Sequence, residues 1–290
     1  MSLIRHYDAA TAPKGLLRHI LPIFGYPGLI WHNRYMVQNF LRRDLMSRVH
    51  GSYLGIYWLL LQPMFQFVLY FLVFGVIFSA GADVGYAIYL FTGVIVFASM
   101  AEATSQCCQI VVDNGNLVKK VAFPSETLPV TSSAVSLVIY FVGALLALVV
   151  GLCAGVLQPG WTLLAWPLVL FVQFSMTLGI GLLLANAYVF VRDVAQLWRI
   201  ALMAWQFLSP VFWMPSMVES KLPAWGVTLL HTLNPAYPLI MAHRLVLGGT
   251  DPMLGEFWPQ LGVAAVWALG FMVLGYSSFL SNKHKYADLI

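Results

Sequence analysis

The sequence predicts an all-α membrane protein of six transmembrane helices. It adds an N-terminal interfacial helix and short re-entrant helices between spans 5 and 6. Three observations carry this: the composition, the number of long apolar stretches and the one-sided placement of Lys and Arg. The 290 residues are 60% hydrophobic and only 9% charged. An ordinary soluble domain is about 25% charged and under about 50% apolar. A soluble fold of this size could not keep so much apolar surface from water.

A bilayer core needs about 20 mostly apolar residues in helical form. Six stretches are assigned as spans: 53–78, 86–108, 130–157, 163–191, 196–214 and 257–280. The first is interrupted by Gln62, Pro63 and Gln66, the second carries Glu102, and the fifth is short with Pro210 near its far end. Two segments follow: a cytoplasmic N-terminal segment, 1–52, and a six-helix membrane domain, 53–290.

The connecting loops give the orientation, because cytoplasmic loops concentrate Lys and Arg. One side holds Arg5, Lys14, Arg18, Arg34, Arg42, Arg43 and Arg48, then Lys119, Lys120, Arg192, Arg199, Lys283 and Lys285. The other side holds Lys221 and Arg244. Both termini are expected in the cytoplasm. The apolar stretch 20–31 is too short to span, is expected to be broken by Pro22 and Pro27, and lacks a small-residue cleavage site.

Residues 29–49 read as one interfacial helix. Val37, Phe40, Leu41 and Leu45 lie on one side, and Arg34 and Arg48 snorkel toward headgroups. An ordinary cytoplasmic helix fits the same pattern. In the long outer segment, 224–233 and 239–247 are short amphipathic helices divided by Asn234 and Pro235. They read as re-entrant, which membrane depth allows only where protein or water covers the broken ends. A surface loop is the alternative.

Several classes of function lack their residues. No GxxxxGK[ST] phosphate loop occurs, so ATP binding of that kind is not expected in this chain. HExxH and GxSxG are missing too, and the acids are scattered rather than clustered for catalysis. Basic residues do not form a patch with aromatics, which argues against nucleic acid. Cys107, Cys108 and Cys153 have no metal or disulfide spacing, and His231 and His243, both read as external, are too far apart for a local metal motif.

The most pointed feature is the basic loop from Asp113 to Glu126. It holds a short helical run over 116–122, ended by Phe123 and Pro124, because the residue before proline avoids the helical region. Leu117, Val118, Val121 and Phe123 form an apolar edge beside Lys119 and Lys120. Such a helix can seat in a groove of a soluble partner, or serve as a plain interfacial anchor.

Four stretches in order resemble the ABC-2-type permeases that export polysaccharides such as O-antigen, capsule and teichoic acid. They are Arg43-Asp44-Leu45 with 51–58, Gln62-Pro63 and 73–78; then 116–124 with Leu128-Pro129. Next come Arg192-Asp193 with 209–212, and last Asn234-Pro235 with Arg244 and Gly248-Gly249. The resemblance covers residues 43–249. It implies a non-enzymatic half-transporter in the bacterial inner membrane, paired as a homodimer. Two copies of a cytoplasmic ABC ATPase would carry ATP and Mg, with no cofactor in this chain.

By the same resemblance, Asn116, Leu117, Val118, Lys119, Lys120, Phe123 and Pro124 couple to that ATPase, and the helix from Leu29 is a second contact or collar. The substrate that the resemblance implies is a lipid-linked glycan. Aromatic rings stack on sugar C–H faces. Tyr53, Tyr57, Trp58, Trp205, Phe212 and Trp213, with Glu102, are therefore candidates for the path, and Tyr53 and Tyr57 are expected on one helical face. The interfacial aromatic belt is the plain alternative. An exporter of lipids or drugs, or a membrane-embedded glycan transferase, are the rival functions.

Overall fold

A computed structural model describes residues 17–48, 51, 53–77, 84–120, 123–215, 221–249 and 254–290. Every regular element among the described residues is helical. The chain starts with α1 (Leu17–His32) and α2 (Arg34–Ser47). A short 3-10 turn, Gly55–Tyr57, leads into α3 (Trp58–Tyr70), which continues as a π-helical stretch, Phe71–Ile77. Then come α4 (Val84–Asp113), α5 (Gly115–Lys120) and α6 (Thr127–Cys153). A 3-10 turn, Trp161–Ala165, precedes α7 (Trp166–Phe190) and α8 (Val194–Leu208). The last elements are α9 (Ala224–Leu233), α10 (Ala236–Val246), α11 (Phe257–Asn282) and α12 (Tyr286–Leu289).

Four helices are long and apolar enough to cross a membrane: Val84–Asp113, Thr127–Cys153, Trp161–Phe190 and Phe257–Lys285. The shorter apolar helix Trp58–Phe74 accompanies them. The chain is a multi-pass membrane protein. Its outer faces carry exposed apolar side chains such as Phe65, Leu69, Phe141, Val149 and Val266, as lipid solvation requires.

Helices α4 and α7 form the centre, with α6, α10 and α11 packed around them. Their closest approach is at glycine. A Cβ on Gly275 would overlap the Gly179 carbonyl oxygen, and one on Gly179 would strike the backbone of Phe271. Without a hydrophobic drive between helices in lipid, small residues gain association by letting backbones touch. These two glycines lock α7 to α11.

Several boundaries differ from the sequence reading. Helix α1 runs through Pro22 and Pro27, which were expected to break it. Tertiary contact outweighs local propensity here, since Tyr26 is buried against Tyr276 with ring centroids 4.4 Å apart. The interfacial helix over 29–49 is two helices. Asn33 turns its side chain back onto the Leu29 carbonyl at 2.9 Å and leaves helical geometry there, a local bond that competes with the helix ladder.

The first span does not begin at residue 53. Gly55 has φ +50, a left-handed conformation that suits glycine, so regular α-helix starts at Trp58. Tyr53 therefore lies outside the helix and shares no helical face with Tyr57. The fifth span ends early: α8 stops at Ser209, before Pro210. Its 15 residues reach about 22 Å, short of a core of about 30 Å.

Arg244 and His243 fall within the short outer helix that the sequence suggests over 239–247, and both are buried in α10. The space comes from Gly93, where a Cβ would collide with Arg244 Nη2. Arg244 donates from Nη2 to the Tyr89 carbonyl at 3.0 Å, and its guanidinium lies 3.4 Å from the Tyr89 ring centroid. His243 Nδ1 and the Tyr140 hydroxyl are 2.6 Å apart.

Candidate functional site

The described residues of the basic loop form a corner that is tied at both ends. Asn114 ends α4 by donating its side-chain amide to the Ile110 carbonyl at 2.8 Å. Its own carbonyl accepts the amides of Leu117 and Val118 at 2.9 and 3.2 Å, which starts α5 at once. The helix is Gly115–Lys120; residues 121–122 lie outside the described residues. Phe123 meets Phe40 of α2 edge to face at 5.9 Å. The Pro124 carbonyl accepts the backbone and hydroxyl of Thr127 at 2.9 and 2.7 Å, fixing the start of α6.

The apolar edge of this helix points into the body of the protein. Val118 packs on the buried cluster that holds Tyr26, Phe279 and Tyr286. Leu117, Val118, Phe123 and Pro124 are half-buried, while Asn116 and Lys119 are exposed. Among the described residues the exposed side chains of this helix are thus polar, and Val121 of the expected apolar edge lies outside them. The helix is too short to bury both sides, and its own chain takes the apolar one.

Behind the corner lies Glu126, 1% exposed. Lys283 Nζ holds its two carboxylate oxygens at 2.9 and 3.0 Å, which offsets the desolvation cost of a buried carboxylate. The Glu126 carbonyl accepts the Tyr26 hydroxyl at 2.8 Å. Burial, reinforced by the charge of Glu126, pushes the Tyr26 phenol well above its ordinary range, so it stays a neutral donor.

A second feature is a cavity of about 170 Å³ lined by Arg48, Trp58, Leu59, Gln62, Glu102 and Ile139. It brings together Trp58 and Glu102. Arg48 forms an ion pair with Glu102 rather than snorkelling, and Gln106 donates to Glu102 Oε1 at 3.2 Å. The signal for this pair was present in the sequence: a lone acid inside a span needs a cation. An aromatic ring, an amide and a charged pair around one opening can stack on a sugar face and bond its hydroxyls.

The remaining candidates sit elsewhere. Tyr53 and Tyr57 are exposed beyond the cavity. Trp205 packs on Phe97 at 5.8 Å and Trp198 at 6.1 Å, inside the fold. The Phe212 and Trp213 carbonyls accept the hydroxyls of Tyr86 and Tyr89 at 3.2 and 3.1 Å. Beside them is a cavity of about 290 Å³, whose lining includes Tyr86, Tyr89, Thr92, Met214 and Arg244. Among the described residues no group of three or more His, Cys, Asp or Glu could hold a metal ion.

Comparison with known proteins finds relatives whose sequences align along most of the chain. The chain is 24% identical over 275 residues to the O-antigen export system permease protein RfbA of Myxococcus xanthus, covering 95% of this chain and all of that one. It is 22% and 21% identical to two proteins of the same name from Klebsiella pneumoniae, over 253 and 255 residues. Each of those alignments covers 86% of this chain and 92% of the relative. The ABC-2 type transporter family matches residues 35–247, from the start of α2 past the end of α10, and the chain belongs to that family.

Proposed function

We propose that this chain is the transmembrane subunit of an ATP-driven exporter that moves a polysaccharide, carried on a lipid, across the bacterial inner membrane. The end-to-end similarity to permeases named for O-antigen export carries the reading. Two copies form the path, and two copies of a separate ABC ATPase, holding ATP and Mg, drive it. Six crossings are made by α3, α4, α6, α7, α8 with the residues after it, and α11. Helices α9 and α10 are re-entrant on the outer side, and both termini are cytoplasmic.

Helix α5 is the coupling helix. Asn116 and Lys119 offer a polar, cationic face that suits an acidic groove on the ATPase. Residues 1–52 form a separate cytoplasmic segment, in which α2 backs Phe123. The cavity between Arg48, Trp58, Gln62 and Glu102 is the inner mouth of the path, where sugar rings stack on Trp58. Tyr53 and Tyr57 extend that surface. Trp205, Phe212 and Trp213 hold the outer half in shape.

The test is purification of the chain with its associated ATPase, then ATPase turnover in a Lys119→Glu/Asn116→Ala variant. Loss of the complex or of turnover is expected. An intact complex with unchanged turnover and unchanged surface glycan would remove the coupling role from α5.

A further inference from the structure

We infer that residues Lys283–Ile290 are a brace that sets the position of α5 and links it to α7 and α11, a role that rests on the coupling reading above. Three contacts carry the inference. The first is ahead of α5. A Cβ on Gly115 would run into the Ile290 side chain, so the glycine lets the C-terminal segment close onto the first turn of the short helix. The second is behind it, where Lys283 holds the buried carboxylate of Glu126. The segment thus grips the loop on both flanks of α5.

The third contact anchors the brace itself. Tyr286 is fully buried and donates its hydroxyl to Asn186 Oδ1 of α7 at 2.9 Å. Asn186 in turn donates to Ser278 of α11 at 2.7 Å. The Tyr286 ring meets Phe279 edge to face at 5.1 Å. Helices α7 and α11 are already locked at Gly179 and Gly275. A displacement of α5 is therefore resisted by the closely packed pair α7 and α11 rather than absorbed by a loose loop. A six-residue helix has little stability of its own, so its position must come from such contacts.

Lys283, Tyr286 and Ile290 are positioning residues, and they act through α5. The first experiment is hydrogen exchange of amides 115–120 in the purified full chain in lipid discs. Exchange of these amides is expected to speed up in Tyr286→Phe and in Lys283→Ala, with recovery in Lys283→Arg. Amides in the middle of α4 stay unchanged. The phenylalanine variant keeps the ring and removes one hydroxyl, so it stays informative if Lys283→Ala does not fold. Unchanged exchange at 115–120 in Tyr286→Phe and in any folded Lys283→Ala overturns the brace.

The second measurement uses the complex with its co-purifying ATPase. Glycan exported per ATP hydrolysed is expected to fall roughly 2- to 30-fold in Tyr286→Phe, the range that mutations along a coupled network produce. Faster exchange at α5 with an unchanged export ratio would leave the brace standing and overturn the coupling role of α5.

Discussion

Trp205 donates its indole N–H to Asn234 Oδ1 at 2.7 Å, tying the end of α8 to the junction of α9 and α10. The Asn234 amide group donates in turn to the Leu208 carbonyl and to Ser209 Oγ, both at 3.1 Å. Its oxygen also accepts the Ala236 amide at 3.1 Å, capping α10. One buried side chain, directly after α9, therefore bonds both the end of α8 and the start of α10.

Asn234→Ala leaves the Trp205 N–H and the Leu208 carbonyl without these partners. Each orphaned buried group costs about 1–3 kcal/mol. A clear drop in Tm of the detergent-solubilised chain is expected. Asn234→Asp should recover part of it, since the carboxylate still accepts from Trp205 but cannot donate to Leu208. Equal melting of the alanine variant and the parent protein would contradict this.

Gly275→Ala is expected to destabilise by about 1–3 kcal/mol, because the added methyl meets backbone that cannot swing aside. Gly270, on the same helix, has open space around it. There alanine should be neutral or stabilising by about 0.5–1 kcal/mol. Size-exclusion profiles after a heating series separate the two. Matching losses would mean that α7 and α11 do not touch at Gly179.

The long helices were legible because their signal is length and hydropathy. Core burial of α4 and α7, with Gly179 inside, follows from stretches apolar on every side. The sequence hid what depends on distant contact. Proline in α1 reads as a break until Tyr26 is seen held by Tyr276 and Glu126. Arg244 reads as a cation of a short outer helix, and its burial shows only when Gly93 is seen to leave it room. Val118 reads as part of a free apolar edge until it is found packed on the buried cluster that holds Tyr26 and Tyr286. In each case a local rule met a partner about 100 residues or more away in the chain.

Alkaline pH should loosen α1. The Tyr26 phenol is raised in the folded protein, first by burial and then by Glu126, while an unfolded tyrosine ionises near about 10. Below that value both states are neutral and the stabilisation is complete. Above it the unfolded chain loses a proton that the folded chain keeps, so stability falls by roughly 1.4 kcal/mol per pH unit from this group. Tyr26→Phe removes that slope. Melting curves of both proteins across the alkaline range test it, and parallel declines would exclude Tyr26 as the source.

The Arg48–Glu102 pair gives the sharpest separation of stability from transport. Both side chains are partly solvated, at 27% and 34% exposure, so breaking the pair should cost at most about 1 kcal/mol of stability. Yet the pair joins the chain just after α2 to the middle of α4, beside Trp58 and Gln62 at the proposed inner mouth. Glu102→Gln is therefore expected to leave Tm nearly unchanged while altering glycan export. Arg48→Glu should impair export by placing two acids together, and Arg48→Glu/Glu102→Arg should restore it if the attraction itself matters. A double variant no better than Arg48→Glu would mean that the guanidinium position, rather than the pairing, is what the path requires.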